Sequence, residues 1–68
     1  MNILIRVLYL DGREEELRIW FEDYKDQNQF EKYSKKVQDM IRYKGFLPTG
    51  EKQKTLINMN NVSRIHIF

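Results

Sequence analysis

Apolar positions along the chain fall into runs separated by polar and turn-forming residues. Residues 2–10 read N-I-L-I-R-V-L-Y-L, dense in the β-branched and aromatic residues that strands favour. Asp11-Gly12 follows, and Asp-Gly between apolar runs is a strong short-range hairpin signal. In residues 14–22, Leu17, Ile19 and Phe21 alternate with Arg18, Trp20 and Glu22, the period of a half-buried strand. The first element is therefore a hairpin over 2–22.

The period then changes. Phe30, Tyr33, Val37, Met40, Ile41 and Lys44 share one side of a helix, with Glu31, Lys32, Lys35, Lys36, Asp39 and Arg42 on the other. Asp26 or Asn28 can cap it, and Glu31 stands three residues after Asn28 as in a capping box. Gly45 is placed to end the helix in a left-handed conformation, and Arg42 and Lys44 suit the negative end of its dipole. The helix is expected over 28–44. Pro48 and Gly50 make 45–53 a loop. Residues 54–68 read as a second hairpin turning at Asn60-Asn61, with Ile65 and Ile67 on one face of its last strand. The order ββαββ predicts a single α+β domain over 1–68. Its four-stranded, mostly antiparallel sheet carries one helix on one face, since sequential strands usually pair.

That sheet has two apolar faces. Ile3, Ile5, Val7 and Tyr9 point one way; Leu4, Leu8 and Leu10 point the other, with Arg6 among them. Hairpin register decides what joins each set. A two-residue turn puts Leu17 and Ile19 with Leu4 and Leu8, and Trp20 with Ile3. A three-residue loop puts Leu17, Ile19 and Phe21 with Ile3, and Trp20 with Leu4 and Leu8. Either way one helix covers only one face. Large apolar residues remain on the other, and such a patch commonly marks an interface. Three occupants compete: a second copy stacking its sheet, a foreign protein anchored by Trp20 and an arginine, or loop 46–54 folding over with Phe46 and Leu47.

Length sharpens this. At 68 residues the chain buries only about 60% of its unfolded surface. Folds of this size usually add disulfides, a metal or oligomerisation. There is no cysteine, and the single His66 with carboxylates is a poor zinc set, so association is the support that remains. Absent cysteine, a poor signal-peptide pattern at the start and no long apolar run point to a cytoplasmic protein. Alanine is missing while Lys, Ile, Asn, Tyr and Phe abound, a bias toward AT-rich codons that suggests a low-GC bacterium or one of its phages.

Charge is small in sum but uneven. Residues 1–31 hold four basic groups against eight acidic, or −4; residues 32–68 hold eight against two, or +6, which makes the net +2. The basic half could meet a polyanion, or simply lie beside the acidic hairpin. Lys32, Lys35, Lys36 and Arg42 on the helix, with Lys44, Lys52, Lys54 and Arg64, form the candidate phosphate-contacting set. Arg6, Trp20, Arg64, His66 and Phe68 could form a stacking platform on the sheet.

No catalytic, cofactor or metal site is expected. His66 is a lone strand histidine, and Ser34 and Ser63 have no base in any readable pattern. Glu14, Glu15 and Glu16 point to alternate faces and read as a solvated strand edge. Gly12, Gly45 and Gly50 form no phosphate cradle. Membrane binding is not expected, because the sheet needs the helix's apolar stripe as core.

The ending L-I-N-M-N-N-V-S-R-I-H-I-F resembles the strand–turn–strand endings of many short proteins from phages and mobile elements of low-GC bacteria. The resemblance covers about a dozen residues and carries no functional residue across. It implies a phage or prophage accessory protein, a group rich in host-binding inhibitors. The expected function is therefore non-enzymatic regulation by protein–protein binding, with a homodimer or a host protein as partner. The interface is placed at Leu4, Arg6, Leu8, Leu10, Arg18 and Trp20. The alternative is a small nucleic-acid-binding module using the basic helix and loop.

Overall fold

Asp11-Gly12 produces the hairpin it announces. β1, Asn2–Tyr9, pairs antiparallel with β2, Glu14–Trp20, in the register Ile3↔Ile19, Ile5↔Leu17 and Leu8↔Glu14. The loop has three residues: Tyr9 N donates to Arg13 O at 2.8 Å, and Gly12 N to Tyr9 O at 3.0 Å. Gly12 sits at φ +90°, a conformation open to glycine and strained for L side chains. Asp11 stiffens the turn by accepting from Arg13 N at 3.1 Å. Of the two registers the sequence allows, this is the one that sets Leu17, Ile19 and Phe21 beside Ile3, Ile5 and Val7.

The computed structural model describes residues 1–42 and 45–68. Among these, the remaining elements are α1, Phe30–Arg42, β3, Phe46–Thr49, β4, Thr55–Asn58, and β5, Val62–Ile67. Strands β2-β1-β5 make one three-stranded antiparallel sheet, and β3-β4 make a separate two-stranded ribbon. The α+β class stands, and the ββαββ arrangement is met roughly but not exactly, with five strands in two sheets in place of four in one. The expected loop 45–53 contains β3. Residues 54–68 are not a hairpin: β4 pairs with β3, while β5 crosses to β1 in the register Ile5↔Ile67 and Val7↔Ile65.

The reasons are local. Pro48 argued for a loop, yet a two-stranded ribbon tolerates proline because each strand has a side with no neighbour. The Asn60-Asn61 turn is a short 3-10 turn, Met59–Asn61, capped by Asn58, whose Oδ1 accepts from Asn60 N at 3.0 Å. That turn carries the chain away from β4. Leu10 N then donates to Asn61 O at 2.8 Å, which brings β5 onto β1.

The helix entry also differs. A single 3-10 turn, Gln27–Gln29, precedes α1. The capping box is Asp26 with Gln29, not Asn28 with Glu31. Asp26 Oδ1 accepts from Asn28 N at 2.9 Å, and Gln29 Oε1 accepts from Lys25 N and Asp26 N at 3.1 and 3.3 Å. The α-helix proper therefore begins at Phe30, two residues later than expected, with Tyr33 and Val37 as its buried residues. The expected helix end at Lys44 lies outside the described residues.

One core results. Ile3, Ile5, Val7, Ile19, Tyr24, Tyr33, Val37, Leu47 and Ile57 are buried together. Each such burial contributes roughly 1.5–3 kcal/mol. Leu47 and Ile57 face each other across the ribbon, so the ribbon and α1 cover the same sheet face. Loop 46–54 therefore does not fold over the second face. Phe46 is 60% exposed.

Gly50 joins ribbon to sheet. Its N donates to Arg18 O at 2.6 Å, and it bridges in parallel to Ile19 at the outer edge of β2. It sits at φ +80°, and a Cβ there would lie 3.4 Å from Thr55 Oγ1. Gly50→Ala is expected to destabilise the domain by about 1–3 kcal/mol, readable as a lower urea midpoint with unchanged slope.

No helix among the described residues is long and apolar enough to cross a membrane.

Candidate interaction surface

The register fixes which side chains share the second sheet face, because residues directly opposite in antiparallel pairs point the same way. β1 supplies Asn2, Leu4, Arg6 and Leu8 along the middle. β2 flanks it with Trp20 opposite Asn2, Arg18 opposite Leu4, Glu16 opposite Arg6 and Glu14 opposite Leu8. β5 flanks the other side with His66 opposite Arg6 and Arg64 opposite Leu8. Phe68 follows, its N donating to Leu4 O at 3.1 Å.

Leu4 and Leu8 are half-buried, while Trp20 and Phe68 keep 40% and 43% of their surface exposed. Arg6 organises the centre. Its Nη2 lies 2.9 Å from Glu16 Oε1, and its guanidinium sits 5.0 Å from the Phe68 ring centroid. His66 meets Phe68 edge-on, with ring centroids 4.8 Å apart. Arg18 Nη1 donates to Asn2 Oδ1 at 3.2 Å. Cationic, aromatic and apolar groups thus share one open face. That is the composition of binding hot spots, where Trp, Tyr and Arg dominate.

Five of the six expected interface residues lie together here: Leu4, Arg6, Leu8, Arg18 and Trp20. Leu10 does not. It belongs to the turn beyond β1 and lines a hollow with Tyr9, Leu56 and Asn58. Glu14 and Glu16 are members of the face that the sequence reading left out as a solvated edge. Their parity with Leu8 and Arg6 was the available signal once the loop length was known.

The described members of the nucleic-acid set come from several elements. The Lys32 and Lys36 amines lie 5.5 and 4.8 Å from the Tyr33 ring centroid. Lys35 is exposed on α1. Arg42 and Arg64 border a groove between α1 and β5. Lys52 lines a hollow beside Trp20, and Lys54 is exposed in the turn after it. Lys44 lies outside the described residues.

One polar pair stands on the covered side. Tyr9 is nearly buried, and its hydroxyl donates to Glu15 Oε1 at 2.5 Å. Burial first, then the hydrogen bond to the carboxylate and its charge, push the phenol up to about 12. The neutral phenol is thus the form the folded state favours. Between pH 10 and 12 the unfolded chain releases this proton and the folded chain keeps it, so stability falls as pH rises through that window. A tyrosine ionising near pH 12 is expected in an alkaline absorbance titration. Tyr9→Phe should remove it and flatten the alkaline loss of stability.

Compared with known proteins, the chain matches no family model, no curated protein and no solved structure.

Proposed function

We propose that this chain is a small, non-catalytic, cytoplasmic accessory protein that acts by protein–protein binding through the second sheet face. One observation carries the reading: α1 and the β3-β4 ribbon bury the same face of the sheet, leaving Leu4, Leu8, Trp20 and Phe68 without a cover from either of them. A marginal 68-residue domain gains by covering such residues. The partner is a second copy or a host protein. The codon bias and the C-terminal resemblance fit an accessory or inhibitory protein of a phage or prophage in a low-GC bacterium.

Three proteins test this: the natural chain, Leu8→Glu on the face, and Lys35→Glu on the helix. Self-association is read by sedimentation and foreign binding by affinity capture from a low-GC bacterial lysate. Association that Leu8→Glu loses and Lys35→Glu keeps supports the face. Association that both variants keep, or none at all in the natural chain, removes it.

A second reading has its own observation. Arg6, Arg64, His66, Phe68 and Trp20 share one face, as in platforms that stack single-stranded bases. Glu14 and Glu16 on the same face weigh against a polyanion. This reading requires retention of single-stranded DNA or RNA that weakens steeply with salt. No retention at low salt ends it.

A further inference from the structure

We propose that a second copy of this chain occupies the second sheet face, stacked on it about a twofold axis running along β1. The inference rests on the reading of that face as the contact surface and names its occupant.

Charge on the face is arranged in columns. β1 holds the middle with Leu4, Arg6 and Leu8. The β2 column carries Glu14 and Glu16 at the levels of Leu8 and Arg6, and the β5 column carries Arg64 and His66 at those same levels. A half-turn about the line of β1 exchanges the flanking columns and keeps every level. Glu14 of one copy then stands over Arg64 of the other, twice by symmetry, and Glu16 stands over His66. Leu4 and Leu8 meet their own copies on the axis. Arg18 comes over Phe68, where a guanidinium and a ring attract, and Trp20 lands at the outer side of that ring.

The result is a middle column of two leucines with Arg6 between them, and charged flanks; apolar groups and arginine are both common within specific interfaces. Arg6 meets its own copy on the axis, but Glu16 and the Phe68 ring already hold its charge. A twofold axis across the strands serves less well. Placed at the level of Arg6 it would still set Leu4 against Leu8, but each flanking strand would lie over its own copy, so that Glu16 would face Glu16 and His66 would face His66.

Stacked sheets pack about 10 Å apart with strands within about 30° of each other, which the open face permits. Three strands about 4.8 Å apart, of eight, seven and six residues at about 3.3 Å each, offer a small face. The dimer falls at the low end of specific interfaces and is expected to dissociate on dilution.

The arrangement makes a demand that other dimers do not. Glu14→Arg and Arg64→Glu each place like charges at both symmetric contacts, so each alone is expected to weaken dimerisation roughly tenfold or more. Mixed in equal amounts, the two variants form a heterodimer in which both contacts are again opposite in sign, and association returns. Sedimentation velocity across concentration reads all three samples, and circular dichroism confirms folding. Should either variant fail to fold, Glu14→Lys and Arg64→Asp repeat the exchange. A natural chain that stays monomeric at the highest concentration reached, or a mixture no stronger than its components, overturns the inference. Leu8→Glu separates this failure from that of the parent reading. A dimer lost in Leu8→Glu but indifferent to the charge variants keeps the face and rejects the axis. A dimer that survives Leu8→Glu uses another surface and rejects both.

Discussion

Tyr33→Ala is expected to unfold the domain, or to leave it with too little stability for a cooperative transition at 25 °C. Tyr33 is 1% exposed and stands where three elements meet. Its ring stacks on Tyr24 with centroids 4.8 Å apart and planes 15° apart, and it packs against Phe21 at 5.0 Å. Both partners lie in the segment between β2 and α1, so this cluster attaches the helix to the sheet. Removing a buried aromatic side chain costs about 3–5 kcal/mol. A chain of this length has a total stability on the order of 5 kcal/mol. The loss therefore matches the whole. Tyr33→Phe keeps the ring and is expected to stay within about 1 kcal/mol of the natural chain. Urea unfolding followed by far-ultraviolet circular dichroism reads both. A Tyr33→Ala midpoint close to the natural one would show that the helix is held elsewhere.

Leu8→Glu is expected to do the opposite: keep the fold and remove association. Leu8 lies between Glu14 and Arg64 on the face that neither helix nor ribbon covers. In the free monomer the new carboxylate reaches water, so the stability change is expected within about 1 kcal/mol. In a complex the same carboxylate is enclosed near the centre of the contact, beside Glu14. Enclosing a poorly paired charge costs several kcal/mol, which lowers affinity by roughly a hundredfold or more. Sedimentation beside a urea melt separates the two effects. Loss of the fold together with association would mean that Leu8 belongs to the core.

Local signals in this sequence were legible where they involve neighbours. Asp11-Gly12 marked the first hairpin, the apolar spacing marked α1, and the alternation of Ile65 and Ile67 marked β5. Partnership between distant strands was not legible. β5 joins β1 because Ile65 and Ile67 fit beside Val7 and Ile5, and nothing near residue 62 says so; proximity favoured β4. Pro48 hid β3, because proline speaks against a central strand and not against a ribbon. The site followed the same logic. Parity along β1 placed Leu4, Arg6 and Leu8 on one face without any structure. Trp20 joined them only once the loop length was fixed, since a one-residue slip would have moved it to the other side. Leu10 was misplaced because parity holds only while the strand lasts, and β1 ends at Tyr9.

The second sheet face is the proposed place where this protein meets its partner. Trp20 is the only tryptophan and sits on that face, 40% exposed. Its fluorescence therefore reports on the surface without a label. The most direct measurement is acrylamide quenching of Trp20 across protein concentration, with light scattering on the same samples. The expected result is quenching that falls as the scattering mass rises, and that stays high at every concentration in Leu8→Glu. Quenching that stays equally high while the mass doubles would place the contact elsewhere and contradict the account.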